Sequence, residues 1–296
     1  MTGQAGIISL CQISFAGLGA ILTAQLATNN HLPGLVALFI AALIVVPVAL
    51  LVALIAVRLG DLYVALATLA FALLVDNLIF PQNRFDQQGS GMLLNRPHLG
   101  PIHFDGDKSF LYLALAVFVL LSLLARNLRR STTGMTLVAM RSSETGVSTI
   151  GHNVVRSKLV AFAVSGFIAA IGGGMLSFYG QRARPASFAT LIGIVWLAVV
   201  ITLGVRTSVG PLLAGLAFTI FPQLIGTWHW PHWALQLPPL FFGLGAVGLA
   251  RDPRGAVAQT SEQWIRQARW VKAKLRGAPR SPPGADQEAS AAVSLR

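Results

Sequence analysis

The chain has 296 residues, of which 54% are hydrophobic and only 11% charged, with a net charge of +12. A soluble domain carries about 25% charged residues, so this balance excludes one and points to a protein that crosses a membrane several times. The positive charge does not signal nucleic acid either, because the bases fall in two blocks of sequence and do not line one face of a folded domain.

Residues 1–10 lack a basic leader and run straight into span-like sequence, so no cleavable signal peptide is expected. The lone Cys11 lies in an apolar run, which leaves no disulfide framework and no cysteine-based metal site. Segment 1, residues 5–27, repeats small side chains at Ala16, Ala20 and Ala24, every fourth position. In lipid such a stripe lets helices approach closely, and both plain packing and a substrate-lining role fit it. Ser9, Gln12 and Ser14 are polar groups inside the same span, expected to face protein or a cavity.

Segment 2, residues 33–57, is long enough to cross and carries Pro47 in its middle, where a kink is expected. A short turn over 58–61 leads into segment 3, residues 62–80. Thr68 joins Ser9 and Gln12 there as a candidate lining residue of a pathway. Asp76 is the sole acid within an apolar run and so a functional candidate, although its place shortly before Pro81 equally fits an interfacial carboxylate. Residues 81–109 are rich in Pro, Gly, Asn and Asp, with Arg84, Arg96 and Lys108 balanced by Asp86, Asp105 and Asp107, as an outer loop allows. Segment 4 covers residues 110–125.

A polar and basic island over 134–162 follows. With the approach to it, it holds Arg126, Arg129, Arg130, Arg141, Arg156 and Lys158 against the single acid Glu144, which places it on the cytoplasmic face. Met135, Leu137, Met140, Val147 and Ile150 recur at roughly helical spacing, so a short cytosolic helix between two spans is predicted.

Segment 5, residues 159–180, places Gly166, Ala170 and Gly174 on one face and is a tight-packing helix. Segments 6, 7 and 8 cover residues 188–205, 209–225 and 234–250. Trp228, Trp230 and Trp233 form an aromatic belt between the last two; His229 and His232 beside them have no carboxylate or thiol nearby, so no metal site is expected. Beyond Arg251 a capping box at 260–263 opens a basic amphipathic helix, with Trp264, Ala268, Val271 and Leu275 on one face and Arg266, Arg269, Lys272, Lys274 and Arg276 studding the rest. Such a helix suits the anionic inner leaflet, and the Pro- and Ser-rich tail from Ala278 is expected to be disordered.

The pattern predicts an all-α, polytopic membrane bundle of about eight spans, with residues 1–250 as the membrane domain and 251–296 as a cytoplasmic helix and tail. Arg58, the island, Arg206 and the tail lie inside; only Arg182 and Arg184 fall against the rule. There is no phosphate-binding loop, nucleophile elbow, HExxH pair or carboxylate cluster, so neither an enzyme nor an ion-coupled carrier acting alone is favoured. No cofactor is expected.

Three stretches carry a resemblance. Residues 2–20, TGQAGIISLCQISFAGLGA, are similar to the first membrane motif of the permeases of branched-chain amino acid ABC importers, M-type subunit. Gly3, Gly6, Ile8, Ser9, Gln12, Phe15, Gly19 and Ala20 match, while Ile7 stands where a Gln is usual. Residues 62–80 resemble a second motif of that family, and the island resembles its cytosolic loop through Gly134, Ala139, Arg141, Glu144, Gly151, Asn153, Lys158, Leu159, Ala161 and Phe162. Ser142 and Ser143 depart from it where acids are common. The resemblance implies a bacterial inner-membrane translocation subunit for branched-chain, hydrophobic amino acids. It implies a sister permease, two cytosolic ATPases and an extracytoplasmic solute-binding protein as partners. The island would be the coupling segment, with Arg141 and Glu144 on its docking helix and Gly134 and Gly151 at the bends. A permease for urea, short amides or a sugar remains the alternative of the same kind.

Overall fold

The computed structural model describes residues 9–57, 61–87, 89–99, 102–103, 106–140, 144–149, 151, 153–203, 212 and 214–216. Segments 7 and 8, the tryptophan link and the basic helix with its tail therefore lie outside the described residues, apart from the helical positions 212 and 214–216. The architecture is an all-α, polytopic bundle. Its helices are α1 (Gln12–Asn29), α2 (Gly34–Ala56), α3 (Asp61–Leu74), α4 (Asn83–Asp86), α5 (Asp107–Arg130), α6 (Thr132–Met140), α7 (Glu144–Thr149), α8 (Val154–Tyr179) and α9 (Thr190–Leu203). A π-helical turn, Val75–Ile79, closes α3, and a 3-10 turn, Pro185–Phe188, precedes α9.

Of these, α2, α5 and α8 are long and apolar enough to cross a bilayer, and Tyr63–Ile79 and Thr190–Ile201 are shorter apolar stretches. The helix α1 is less apolar because it is built from Ser, Thr, Gly and Ala, and it occupies the centre, packed on α8 and α2. Small residues make that possible, since dispersion between close backbones replaces the hydrophobic drive in lipid. The contact runs in parallel register: Phe15 faces Gly166, Gly19 faces Ala170 and Thr23 faces Gly174. A methyl group on Gly19 would come within 2.5 Å of the Ala170 carbonyl oxygen. The α8 stripe read from the sequence is thus the contact line, whereas on α1 the line is Phe15, Gly19 and Thr23, one position from the alanines. Ala20 and Ala24 are fully buried on the adjoining face, and Ala16 meets Gly173.

Against α2 the same α8 runs antiparallel, with Gly166 on Ala49 and Gly174 on Leu38. Pro47 is accommodated inside a continuous α2. The helix α5 is longer than the apolar run suggested, because its basic last turn stays helical beyond the hydrocarbon-length stretch; of its residues only Phe110 is buried.

Two ends of the bundle follow. At one, the loop after α3 forms two-residue strands: β1 (Met92–Leu93) pairs antiparallel with β4 (Arg182–Ala183), and β2 (His98–Leu99) with β3 (Ile102–His103). Arg182, anomalous by charge, is tied in there, donating to the Ser90 carbonyl at 3.0 Å. At the other end, Ala53 and Ala56 of α2, Val64 of α3, and Ala161 and Phe162 of α8 close over Leu137, Met140 and Val147 of the island. Within the island, helix is described over Thr132–Met140 and Glu144–Thr149, and residues 141–143 lie outside the described residues.

Candidate functional site

Ahead of α1 the chain is not helical at Ser9, and its free groups are caught by side chains. The Leu10 N–H donates to Thr68 Oγ1 at 3.1 Å, and that hydroxyl donates to the Ala65 carbonyl at 3.0 Å. Gln12 Nε2 donates to Ser9 Oγ at 3.4 Å and to Ser165 Oγ at 3.3 Å, and Ser165 donates to the Phe162 carbonyl at 3.0 Å. Ser9 Oγ also lies 3.3 Å from Cys11 Sγ. Three distant parts of the chain are thereby fastened together inside the membrane, where unmet polar groups are costly.

These residues border a cavity of about 580 Å³. Its polar lining comes from Ser9, Gln12, Ser165 and Ser187; Ile13, Ile168, Phe188, Trp196, Leu197 and Val200 supply most of the apolar wall. No ionisable side chain is among its described lining residues. The volume falls within the range of about 300–1,000 Å³ usual for small-molecule sites, and apolar walls with few convergent polar groups are their usual make-up. Ser9 and Gln12 line it. Thr68 does not; fully buried, it stands behind the wall as the support of Leu10. Sequence reasoning missed Ser165, Ser187 and Trp196, although Ser165 is a hydroxyl within an apolar span just as Ser9 is.

The island end is built differently. Ser131 caps α6: its Oγ accepts from the Gly134 N–H at 3.3 Å and donates to the Leu128 carbonyl at 2.7 Å. A side chain at Gly134 would strike the Leu128 and Arg129 carbonyls, so only glycine lets α6 fold back against the end of α5. Gly151 has φ +84° and open space around it, ending the turn after α7. Asn153 then caps α8, accepting from the Arg156 N–H at 3.0 Å. Glu144 is the first residue of α7, and Arg141 lies outside the described residues. Leu137, Met140 and Val147 point into the bundle, while Met135 and Val138 are exposed on α6.

Asp76 sits in the π-helical turn, half-buried, and accepts the Thr190 N–H at 2.7 Å. Among the described residues no group of three or more His, Cys, Asp or Glu lies close enough to hold a metal ion; His229 and His232 are outside them.

A family described as branched-chain amino acid transport system, permease component, matches residues 1–243. The chain belongs to that family. It is 26% identical over 247 residues to the high-affinity branched-chain amino acid transport system permease protein LivM of Escherichia coli strain K12, covering 74% of this chain and 58% of that protein. The protein of the same name from Salmonella typhimurium strain LT2 matches with the same identity and coverage. The chain thus spans little more than half the length of these relatives. No solved structure matches it. The family is one of membrane transport permeases and not an enzyme class, and the chain has helices long and apolar enough to cross a bilayer.

Proposed function

We propose that this permease forms the translocation pathway of an ATP-binding cassette importer for branched-chain, hydrophobic amino acids in the bacterial inner membrane. It would work with a sister permease, two cytosolic ATPases and an extracytoplasmic solute-binding protein. The observation that carries the reading is the cavity: apolar walls of aliphatic-chain size, the neutral hydrogen-bonding groups of Ser9, Gln12, Ser165, Ser187 and the Trp196 indole, and no fixed charge among its described lining. A hydrophobic side chain gains little there over lipid but loses nothing, while the hydroxyls and amide offer partners to the polar end. A site so neutral holds its cargo weakly, which suits a conduit driven from elsewhere.

The coupling side of the proposal rests on α8. The helix begins in the island cluster and lines the cavity about three turns later, so a push on α6 and α7 reaches the pathway through one rigid element. In this reading the exposed Met135 and Val138 face the ATPase with Arg141 and Glu144, and Gly134 and Gly151 form the bends. ATP-dependent leucine uptake into vesicles carrying all subunits tests it, comparing wild type with a double substitution of Arg141 and Glu144. Uptake that stays unchanged removes both from coupling; wild-type uptake without ATP or partners refutes the importer.

A further inference from the structure

We propose that Asp76 is a positioning residue that latches α9, the thinly packed wall of the cavity, to the π-helical turn of α3. Its transport role rests on the permease reading, but the latch itself does not. The turn is wide by one residue, the Phe80 N–H donating to the Val75 carbonyl at 2.9 Å, and such turns interrupt the regular ladder and re-aim the side chains they carry. Here the re-aimed group is a carboxylate. Thr190 is the first residue of α9, so its N–H has no partner within the helix, and an anion at a helix N-terminus is favoured by the backbone dipoles.

What the carboxylate holds is the cavity wall. Gly193, Trp196, Leu197 and Val200 of α9 all line it, yet of residues 190–201 only Thr190 and Val199 are buried. Among the described residues, packing therefore fixes α9 far less than it fixes α8, whose buried residues run its whole length. The anchor is reinforced on one side: a methyl group on Gly17 of α1 would strike both Phe80, at the end of the π-helical turn, and Phe188, just before α9. Asp76 Oδ1 and Thr190 Oγ1 are both buried without a partner among the described residues. Polar atoms at this junction are thus enclosed, where the bond from the Thr190 N–H to the carboxylate is shielded from competing solvent.

The test uses the full chain in lipid nanodiscs, with buried Cys11 replaced by serine and one reporter thiol, Leu197→Cys on α9 or Leu176→Cys on α8. A membrane-impermeant methanethiosulfonate reads each reporter's exposure. Asp76→Ala should change the labelling rate at position 197 by about tenfold, as loss of a hydrogen bond to a charged group predicts, and leave position 176 unaltered. Asp76→Asn, whose side-chain oxygen still accepts from the amide but carries no charge, should bring the rate back most of the way towards wild type. Thr190→Pro deletes the same hydrogen bond from the other side. Proline is tolerated at the first position of a helix, and Ala189 before it already has ψ 144°. It should reproduce the Ala result even if Asp76→Ala does not fold. Equal rates at 197 in all variants, or parallel changes at 197 and 176, would overturn the latch. These rates are read without transport, so missing ATP-dependent uptake by wild type counts against the permease reading alone.

Discussion

The carbonyl of Phe162 accepts the Ser165 hydroxyl at 3.0 Å, and the two residues belong to different sites. Phe162 is 1% exposed inside the island cluster, whereas Ser165 lines the cavity and accepts from Gln12 of α1. Less than one helical turn separates the packing of α6 and α7 from the lining of the cavity. A displacement at α6 or α7 has no flexible joint in which to dissipate before it reaches Ser165.

Truncating this joint should loosen it measurably. Phe162→Ala removes a fully enclosed ring, and changes of that kind cost about 3–5 kcal/mol in a well-packed core. Thermal unfolding of the purified protein should shift down. Faster hydrogen exchange should appear in α6 and the first turns of α8 while α2 near Gly34 stays protected. Uniform loss of protection along α2 and α8 would show that the two ends are not separable.

Much of this bundle was legible because hydropathy reports burial in lipid directly. Segments 2 and 5 correspond to α2 and α8, although α8 starts at Val154, earlier than its apolar run, because the Asn153 side chain caps it there. The island's cohesion was also visible, in the helical spacing of Leu137, Met140 and Val147. The α1 contact line was displaced by one position because alanine periodicity marks small residues without saying which of them face α8. The cavity was half legible. Ser9 and Gln12 stand out as polar groups in an apolar motif, but Ser165, Ser187 and Trp196 become neighbours only through the tertiary fold. The Asp76 contact reaches a residue 114 positions away, beyond any local pattern.

Adjacent glycines in α8 should respond oppositely to one methyl group. At Gly173 the new carbon would collide with the Ala16 carbonyl of α1, whereas at Gly172 nothing lies within 4 Å. Overpacking of that sort costs about 1–3 kcal/mol, while a helical Gly→Ala change alone gains up to about 1 kcal/mol. Gly173→Ala should therefore lower the detergent unfolding midpoint, and Gly172→Ala should hold or raise it. The same direction in both would contradict the close α1–α8 approach.

The turn after α7 gives a backbone test free of packing. Gly151 has φ +84° with open space around it, so any penalty for a side chain there is conformational. Gly151→Ala should cost about 1–2 kcal/mol, and Gly151→Asn distinctly less because asparagine tolerates left-handed backbone. Chemical denaturation of the two variants against wild type decides it, and equal losses would point to a contact at this position.

At the opposite end, the ion pair between Arg96 and Asp107 is asymmetric. Its oxygen–nitrogen distance is 2.6 Å, but the Asp107 side chain is 90% exposed and that of Arg96 only 11%. The guanidinium also lies 5.5 Å from the centre of the Phe110 ring. Solvent screens the carboxylate, so Asp107→Asn should cost no more than about 1 kcal/mol and lose even that in high salt. Arg96→Ala removes the aliphatic stem and the contact over Phe110 as well, and should cost about 1–3 kcal/mol with little dependence on salt. Denaturation midpoints at low and high ionic strength separate the two. If both variants lost stability equally, and that loss vanished in salt, the arginine would be held by charge alone and its packing on Phe110 would count for nothing.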